Sequence, residues 1–217
     1  MLFKNREHAG QLLARKLSPS YKNKNPLVLA IPRGAVPMAR IIADALGGEL
    51  DVVLVHKLGH PAQPELAIGA VDESGHVFLT DYALEIGHEY VDAEKERQLE
   101  VIRQRRARYT PSSGPIDPRD RLVIVVDDGI ATGSTMTAAL RAVRAKKPKK
   151  LVAAVGVASA QAARAMKQEA DEVVCLHVPE EYDFYAVGQF FKDFSQVSDD
   201  DVIAILQKNA QEASAAG

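Results

Sequence analysis

The chain has 217 residues, enough for one domain or one domain with an elaborated cap. Its 47% hydrophobic content excludes a disordered composition, and 27 basic against 29 acidic residues leave a formal charge of −2, too little to draw it onto nucleic acid or an anionic membrane. No apolar run approaches the roughly 20 residues of a spanning helix, the charged N-terminus does not read as a signal peptide, and the single cysteine, Cys175, has no internal disulfide partner; together these features predict a cytoplasmic protein.

In chain order, Leu2, Phe3, Leu12, Leu13 and Leu17 predict an amphipathic helix at the N-terminus. "PLVLAIP" is a short apolar run between prolines and reads as a buried strand. "VPMARIIADALGG" has helical spacing and a Gly-Gly stop. "LDVVLVHKLG" is expected as one further strand. Residues 58–118 interrupt this rhythm: "ELAIGAV", a turn at "DESGH" and "VFLT" predict a hairpin, and a polar helix follows in "DAEKERQLEVIRQRRARY". "RLVIVVDDG" is the strongest strand, followed by a helix in "TMTAALRAVRAKKP", a strand in "KLVAAVGVAS", a helix in "AQAARAMKQEA" and a last strand in "DEVVCLHVP". Residues 179–217 form an aromatic and acidic tail. Fully apolar strands alternating with helices predict an α/β fold, a parallel sheet flanked by helices over a single domain 1–217. Ligands of such sheets bind beyond the carboxyl ends of the strands.

The chemistry concentrates in "VVDDGIATGSTM", Val125–Met136. Asp127 and Asp128 end the strongest strand. Gly129, Ala131, Thr132, Gly133, Ser134 and Thr135 follow and lead into a helix. Bare backbone N–H groups at a helix N-terminus form an anion site, and small residues let a phosphate approach closely. The carboxylates suit vicinal hydroxyls instead. A sugar phosphate offers both features. The competing phosphate motifs are absent: the chain has neither G-x-x-x-x-G-K-[ST] nor G-x-G-x-x-G after its first strand. Set against this, an Asp-Gly turn that merely caps a helix is the commoner meaning of such a pair taken alone. The strict order of strand, acids and hydroxyl loop favours the ligand site.

"VIVVDDGIATGST", Val123–Thr135, resembles the phosphoribosyl pyrophosphate (PRPP) motif of type I phosphoribosyltransferases: four apolar residues, two acids, and a loop of small and hydroxyl residues. The resemblance implies that Asp127 and Asp128 hold ribose hydroxyls and that Gly129, Ala131, Thr132, Gly133, Ser134 and Thr135 hold the 5-phosphate. It implies a pyrophosphate loop in "AIPRGAVPMA", with Arg33 and Gly34 in the turn and Ala35 where a second glycine is common. Lys57 stands where the family often carries a basic residue touching pyrophosphate; His56 stands where an arginine is common. Residues 58–79 resemble the loop that closes over the reaction, although no Lys or Arg lies between Leu58 and His76. Glu65 and Ala67–Gly69 resemble a subgroup of phosphoribosyltransferases without an assigned acceptor. The tail corresponds to a small hood, with Phe184, Tyr185, Phe190 and Phe191 as candidates for stacking an acceptor base and Phe184 and Tyr185 the foremost.

The implied activity is Mg²⁺-dependent transfer of a phosphoribosyl group from PRPP to a nitrogenous base, with Mg²⁺ held mainly through PRPP and water and no direct protein ligand. The partners are then small molecules, neither nucleic acid nor membrane. The rival from another class is a regulator that senses PRPP or a nucleotide without chemistry; a hydrolase or phosphorylase acting on the same ligand is a weaker third. "RQRRARY", Arg103–Tyr109, is balanced by Glu94, Glu96 and Glu100 and reads as a solvated face, one that could pair two copies as a homodimer. The histidines have no metal-ligand spacing, and Cys175 reads as a buried small hydrophobe.

Overall fold

The computed structural model describes residues 2–111 and 114–216, with their side chains except those of Glu65, Glu181 and 209–216. Helix α1 runs Arg6–Tyr21, begun by the Asn5 side chain, which accepts the His8 N–H at 2.9 Å. Strand β1 (Leu27–Ala30) leads through a tight turn to α2 (Val36–Leu46), which ends at Gly47 in the left-handed conformation, φ 65°. Strand β2 (Glu49–Val52) follows, then β3 (Val55–His60), β4 (Gln63–Asp72), β5 (Val77–Leu79) and the long helix α3 (His88–Tyr109). The second half alternates regularly: β6 (Leu122–Ile130), α4 (Ser134–Ala145), β7 (Lys150–Ala158), α5 (Ala160–Glu169), β8 (Glu172–His177) and finally α6 (Asp199–Ala216).

The main sheet has five strands in the order β2-β1-β6-β7-β8, all parallel. Period-two alternation splits each apolar strand between two cores. Val28, Ala30, Ile124, Val126, Val152 and Ala154 face α1 and α2, where Leu13, Leu17, Met38, Ile42 and Leu46 are buried. Leu27, Leu29, Val123, Val125, Leu151 and Ala153 face the other way, onto Met136, Leu140, Val143 and Met166 of α4 and α5. Burial on both faces is why these strands are apolar throughout. Among the described residues no helix is long and apolar enough to cross a membrane.

The chain leaves β1 in one lateral direction, to β2, and later returns to build β6, β7 and β8 in the other. The switch falls between β1 and β6, which pair Leu27↔Val123 through Ala30↔Val126. An α/β sheet opens its crevice at such a point.

Two expectations change. "LDVVLVHKLG" is not one strand: β2 stays in the parallel sheet, and β3 joins β4 and β5 in a separate antiparallel sheet. The break falls at Val53 and Leu54, both buried, so hydrophobicity runs straight through it. The second concerns the basic patch on α3. The hairpin occurs as expected, β4 with β5, its turn fastened by the Asp72 carboxylate accepting from Ser74 N, Ser74 Oγ and His76 N. However, Arg106 is not part of a solvated face. Its guanidinium donates to Asp51 Oδ1 (2.8 Å), to both Glu73 carboxylate oxygens (2.9 Å each) and to the Val52 carbonyl (2.9 Å), riveting α3 to the end of β2 and to the hairpin.

Residues 179–198 cross to the opposite part of the sheet and carry a short turn of helix, Val187–Phe190. Phe190 and Phe191 are core residues, 7% and 4% exposed, rather than free stacking surfaces. The first residues of the chain stitch onto this segment: Leu2 and Phe3 donate to the Phe190 carbonyl, Lys192 donates to the Phe3 carbonyl and Asp193 to the Lys4 carbonyl.

Candidate active site

Strand β1 stops at Ala30, whereas β6 continues to Ile130 beside β7. Residues 127–130 of β6 therefore have a sheet neighbour on the β7 side and an open crevice where β1 has ended. Asp127 and Asp128 occupy this step, two residues short of the strand's end rather than at it, and Gly129 belongs to the strand rather than to the loop. Successive residues point to opposite faces, so the two carboxylates have different surroundings. Asp128 is buried, 8% exposed, and its Oδ2 accepts from Arg6 Nε at 2.7 Å. Asp127 is half-buried, and its Oδ1 accepts the Asp128 N–H at 2.9 Å.

Both carboxyls titrate above the ordinary carboxylate range. Burial is the main cause for each. For Asp127 the neighbouring Asp128 charge adds to it; for Asp128 the Arg6 guanidinium opposes it. Two adjacent acids whose carboxyls are raised despite the Arg6 guanidinium and backbone N–H groups that hold them are a costly structural device but a good acceptor site for hydroxyl donors.

The turn between β1 and α2 lies over the same crevice, and its Pro32–Arg33 peptide is cis. Gly34 sits against the acids: a β-carbon placed on it would stand 2.2 Å from Asp128 Oδ2. The Arg33 guanidinium is half-exposed and lies 4.0 Å from Asp199 at the start of α6.

On the other flank, Ala131–Gly133 turn the chain into α4. Gly133 adopts φ 85° at the helix N-cap and supplies no capping side chain. Ala131, Thr132, Ser134 and Thr135 are exposed, and Gly133 is buried. Thr132 Oγ1 and Ser134 Oγ are 3.3 Å apart. The Ser159 hydroxyl donates to the Ala131 carbonyl at 2.6 Å and fixes the turn. The Ser134 N–H donates weakly to Thr132 Oγ1 at 3.4 Å, and the N–H groups that follow it, at the positive end of a 12-residue helix and beside these hydroxyls, make an anion-binding concavity.

The hood closes on this floor through Val187, whose Cγ1 would lie 2.2 Å from a β-carbon on Gly129. Phe184 is half-buried against Phe190, centroids 5.5 Å apart, while Tyr185 is 86% exposed. Lys57 is exposed on β3, five residues beyond the end of β2, and not at the end of a parallel strand as expected. His56 lies between Gln98 (2.9 Å) and Arg105 (3.1 Å) of α3, its pKa lowered by burial. The Glu65 side chain lies outside the described residues.

Sequence reasoning missed Arg6. It lies 122 residues from Asp128, in a segment without a motif, and only the fold brings the two together. A hollow of about 610 Å³ lined by Tyr21, Lys24, Arg121, Lys149 and Lys150 opens at the amino-terminal edge of the sheet, the end opposite the acids. The carboxyl-end crevice is the better candidate because acids, an anion cradle and a cationic turn converge there.

Known proteins similar to this chain point to one family. Residues 2–191 match the phosphoribosyl transferase domain. Two Mycobacterium tuberculosis proteins, from strains CDC 1551 and H37Rv and each named provisionally as a phosphoribosyl transferase, are 40% identical over 219 residues, covering 100% of this chain and 49% of theirs. The chain thus spans about half the length of these curated relatives. The crystal structure of TT1426 from Thermus thermophilus is similar at a TM-score of 0.85 and 47% identity, covering 96% of this chain and 99% of that one. With its parallel sheet, flanking helices and separate antiparallel sheet, the chain belongs to the phosphoribosyl transferase domain family.

Proposed function

We propose that this protein transfers the 5-phosphoribosyl group of PRPP to a nitrogenous base and releases pyrophosphate. One observation carries the reading: the acidic pair on β6, the Arg33–Gly34 turn after β1 and the bare N-terminus of α4 meet in a single crevice. A hydroxylated sugar with a phosphate on one side and a diphosphate on the other meets all three.

In this account the N–H groups and hydroxyls of Ala131–Thr135 hold the 5-phosphate, which takes no chemical part. Asp127 and Asp128 accept hydrogen bonds from the ribose hydroxyls. Arg33 and the amides around Gly34 hold the pyrophosphate, with Lys57 able to reach it from β3. As the C1–oxygen bond to pyrophosphate breaks, positive charge grows on the ring, and the two carboxylates stabilise it from below. The base nitrogen then bonds to C1 and its displaced proton leaves to solvent. Fixing the phosphate remotely lets binding supply roughly several kcal/mol toward positioning. Mg²⁺ prefers phosphate and water oxygens; the ion would be held mainly through PRPP and water, with no direct protein ligand, and would neutralise the leaving pyrophosphate. Phe184 and Tyr185 of the hood are the rings assigned in this reading to stack on the acceptor base. A cytoplasmic setting accords with this chemistry.

One observation favours a second reading, a PRPP- or nucleotide-sensing protein without turnover. The segment between Leu58 and His76 has no Lys or Arg and folds into β3 and β4. The test is pyrophosphate release from PRPP and Mg²⁺ across a panel of purines, pyrimidines and related bases. Release with one base supports the transferase and identifies the acceptor. PRPP binding without release for any base supports the sensor.

A further inference from the structure

Helix α1 places a cation where helices disfavour one. Arg6 is the first residue after the Asn5 cap, at the positive end of the helix dipole. Local rules are broken most often where function compensates for them. The compensation is specific. Arg6 Nε donates to Asp128 Oδ2 at 2.7 Å, Nη1 donates to the Ser195 carbonyl at 2.6 Å, and the guanidinium lies 3.8 Å from the centroid of the Phe194 ring. Arg6 and Asp128 side chains are each only 12% exposed. Gly34 has its missing β-carbon 3.1 Å from Arg6 Nε, so the guanidinium also touches the proposed pyrophosphate turn.

We infer that Arg6 is a positioning residue for the sugar site: it fixes the Asp128 carboxylate as an acceptor for a ribose hydroxyl and ties it to the hood at Phe194 and Ser195. This rests on the proposed phosphoribosyl chemistry. Arg6 engages Asp128 Oδ2 and the Gly129 backbone N–H also donates to this carboxylate, so a ribose hydroxyl would meet an acceptor already held in one orientation. The same guanidinium grips the segment that the first residues of the chain stitch in place through Phe190, Lys192 and Asp193. Occupation of the diol site and seating of the hood are thereby coupled through one side chain. Without this cation, the two neighbouring acids would hold a proton to higher pH, and a protonated Asp128 offers the sugar a weaker acceptor. The charged groups facing Asp128 are Asp127 on its own strand and Arg6 from α1; Asp193 of the hood acts on Arg6 from the far side.

The test compares wild type, Arg6→Gln and Arg6→Lys by calorimetric titration with PRPP and Mg²⁺ from pH 5 to 8.5, with melting temperatures in parallel. The ligand's own phosphate titration is common to all three proteins and cancels in the comparison. Arg6→Gln is expected to move the acid limb of binding upward by about one pH unit or more, a loss of about tenfold in affinity along that limb. Arg6→Lys keeps the charge and should keep the limb near its wild-type position. The inference is overturned if Arg6→Gln shows the wild-type pH profile, or if both variants lose affinity equally at every pH in step with a lowered melting temperature. If the wild type itself binds no PRPP at any pH, the proposed activity fails and this inference with it.

Discussion

Gly34, in the turn that follows β1, and Asp128, on the neighbouring strand β6, are far apart in sequence, yet they touch: a β-carbon on Gly34 would lie 2.2 Å from Asp128 Oδ2. No real β-carbon tolerates that contact, and the atom that must yield is the carboxylate proposed to hold the sugar. Gly34→Ala should therefore weaken PRPP binding by more than about tenfold, since a displacement near 1 Å at a positioned group costs that much or more. Isothermal titration checks it. Unchanged affinity would mean that Asp128 is free to move without consequence.

Asp127 is proposed as an active-site acid whose burial costs stability. Its pKa is raised, chiefly by burial and then by Asp128. For an acid raised in the folded state, the associated stability is complete below the unfolded value of about 3.9 and is lost as pH rises through the folded value. Asp127→Asn avoids that loss, and its amide oxygen can still accept the Asp128 N–H. The variant should melt above wild type at neutral pH, by on the order of 1 kcal/mol, and the gain should vanish in acid. Thermal denaturation from pH 4 to 8 reads this directly.

Gly129 and Val187 form the contact between floor and hood. Gly129→Ala drives a methyl into Val187 Cγ1 at 2.2 Å and approaches Val157 Cγ1 at 2.9 Å. The expected cost is about 1–3 kcal/mol from overpacking. Val187→Ala in the same chain should recover a measurable part of it, as a double-mutant cycle by chemical denaturation would register. Simple additivity would show that the hood does not rest on Gly129.

Arg106 supports the frame rather than the chemistry. Arg106→Met would leave the Asp51 and Glu73 carboxylates without their cation, at sites 4% and 14% exposed. Breaking such a group from one side costs about 3–5 kcal/mol. Denaturant unfolding should show a loss on that scale.

Local chemistry made much of the fold legible. β1, β6 and β7 are apolar because both faces are covered, and α2 announces its end with Gly47. The acids and the Gly133 turn are likewise contiguous in sequence, so their motif is visible as a string. Other features are not local. The chain changes sheets at Val53 and Leu54 with no polar residue to mark it. Arg106 looks like any arginine on a polar helix until Asp51 and Glu73 are folded against it. Phe190 and Phe191 are indistinguishable from stacking residues until the first residues of the chain cover them. Arg6 meets Asp128 only through the packing of α1 over the sheet.

The most direct measurement is PRPP binding, with Mg²⁺ present, to wild type and to the Asp127→Asn, Asp128→Asn double variant, alongside inorganic pyrophosphate as a ligand without a sugar. Two lost charge-assisted hydrogen bonds predict a fall in PRPP affinity of about a hundredfold or more, with pyrophosphate binding nearly unchanged and the double variant still folded. A double variant that binds PRPP as tightly as wild type would contradict the assignment of these acids to the sugar.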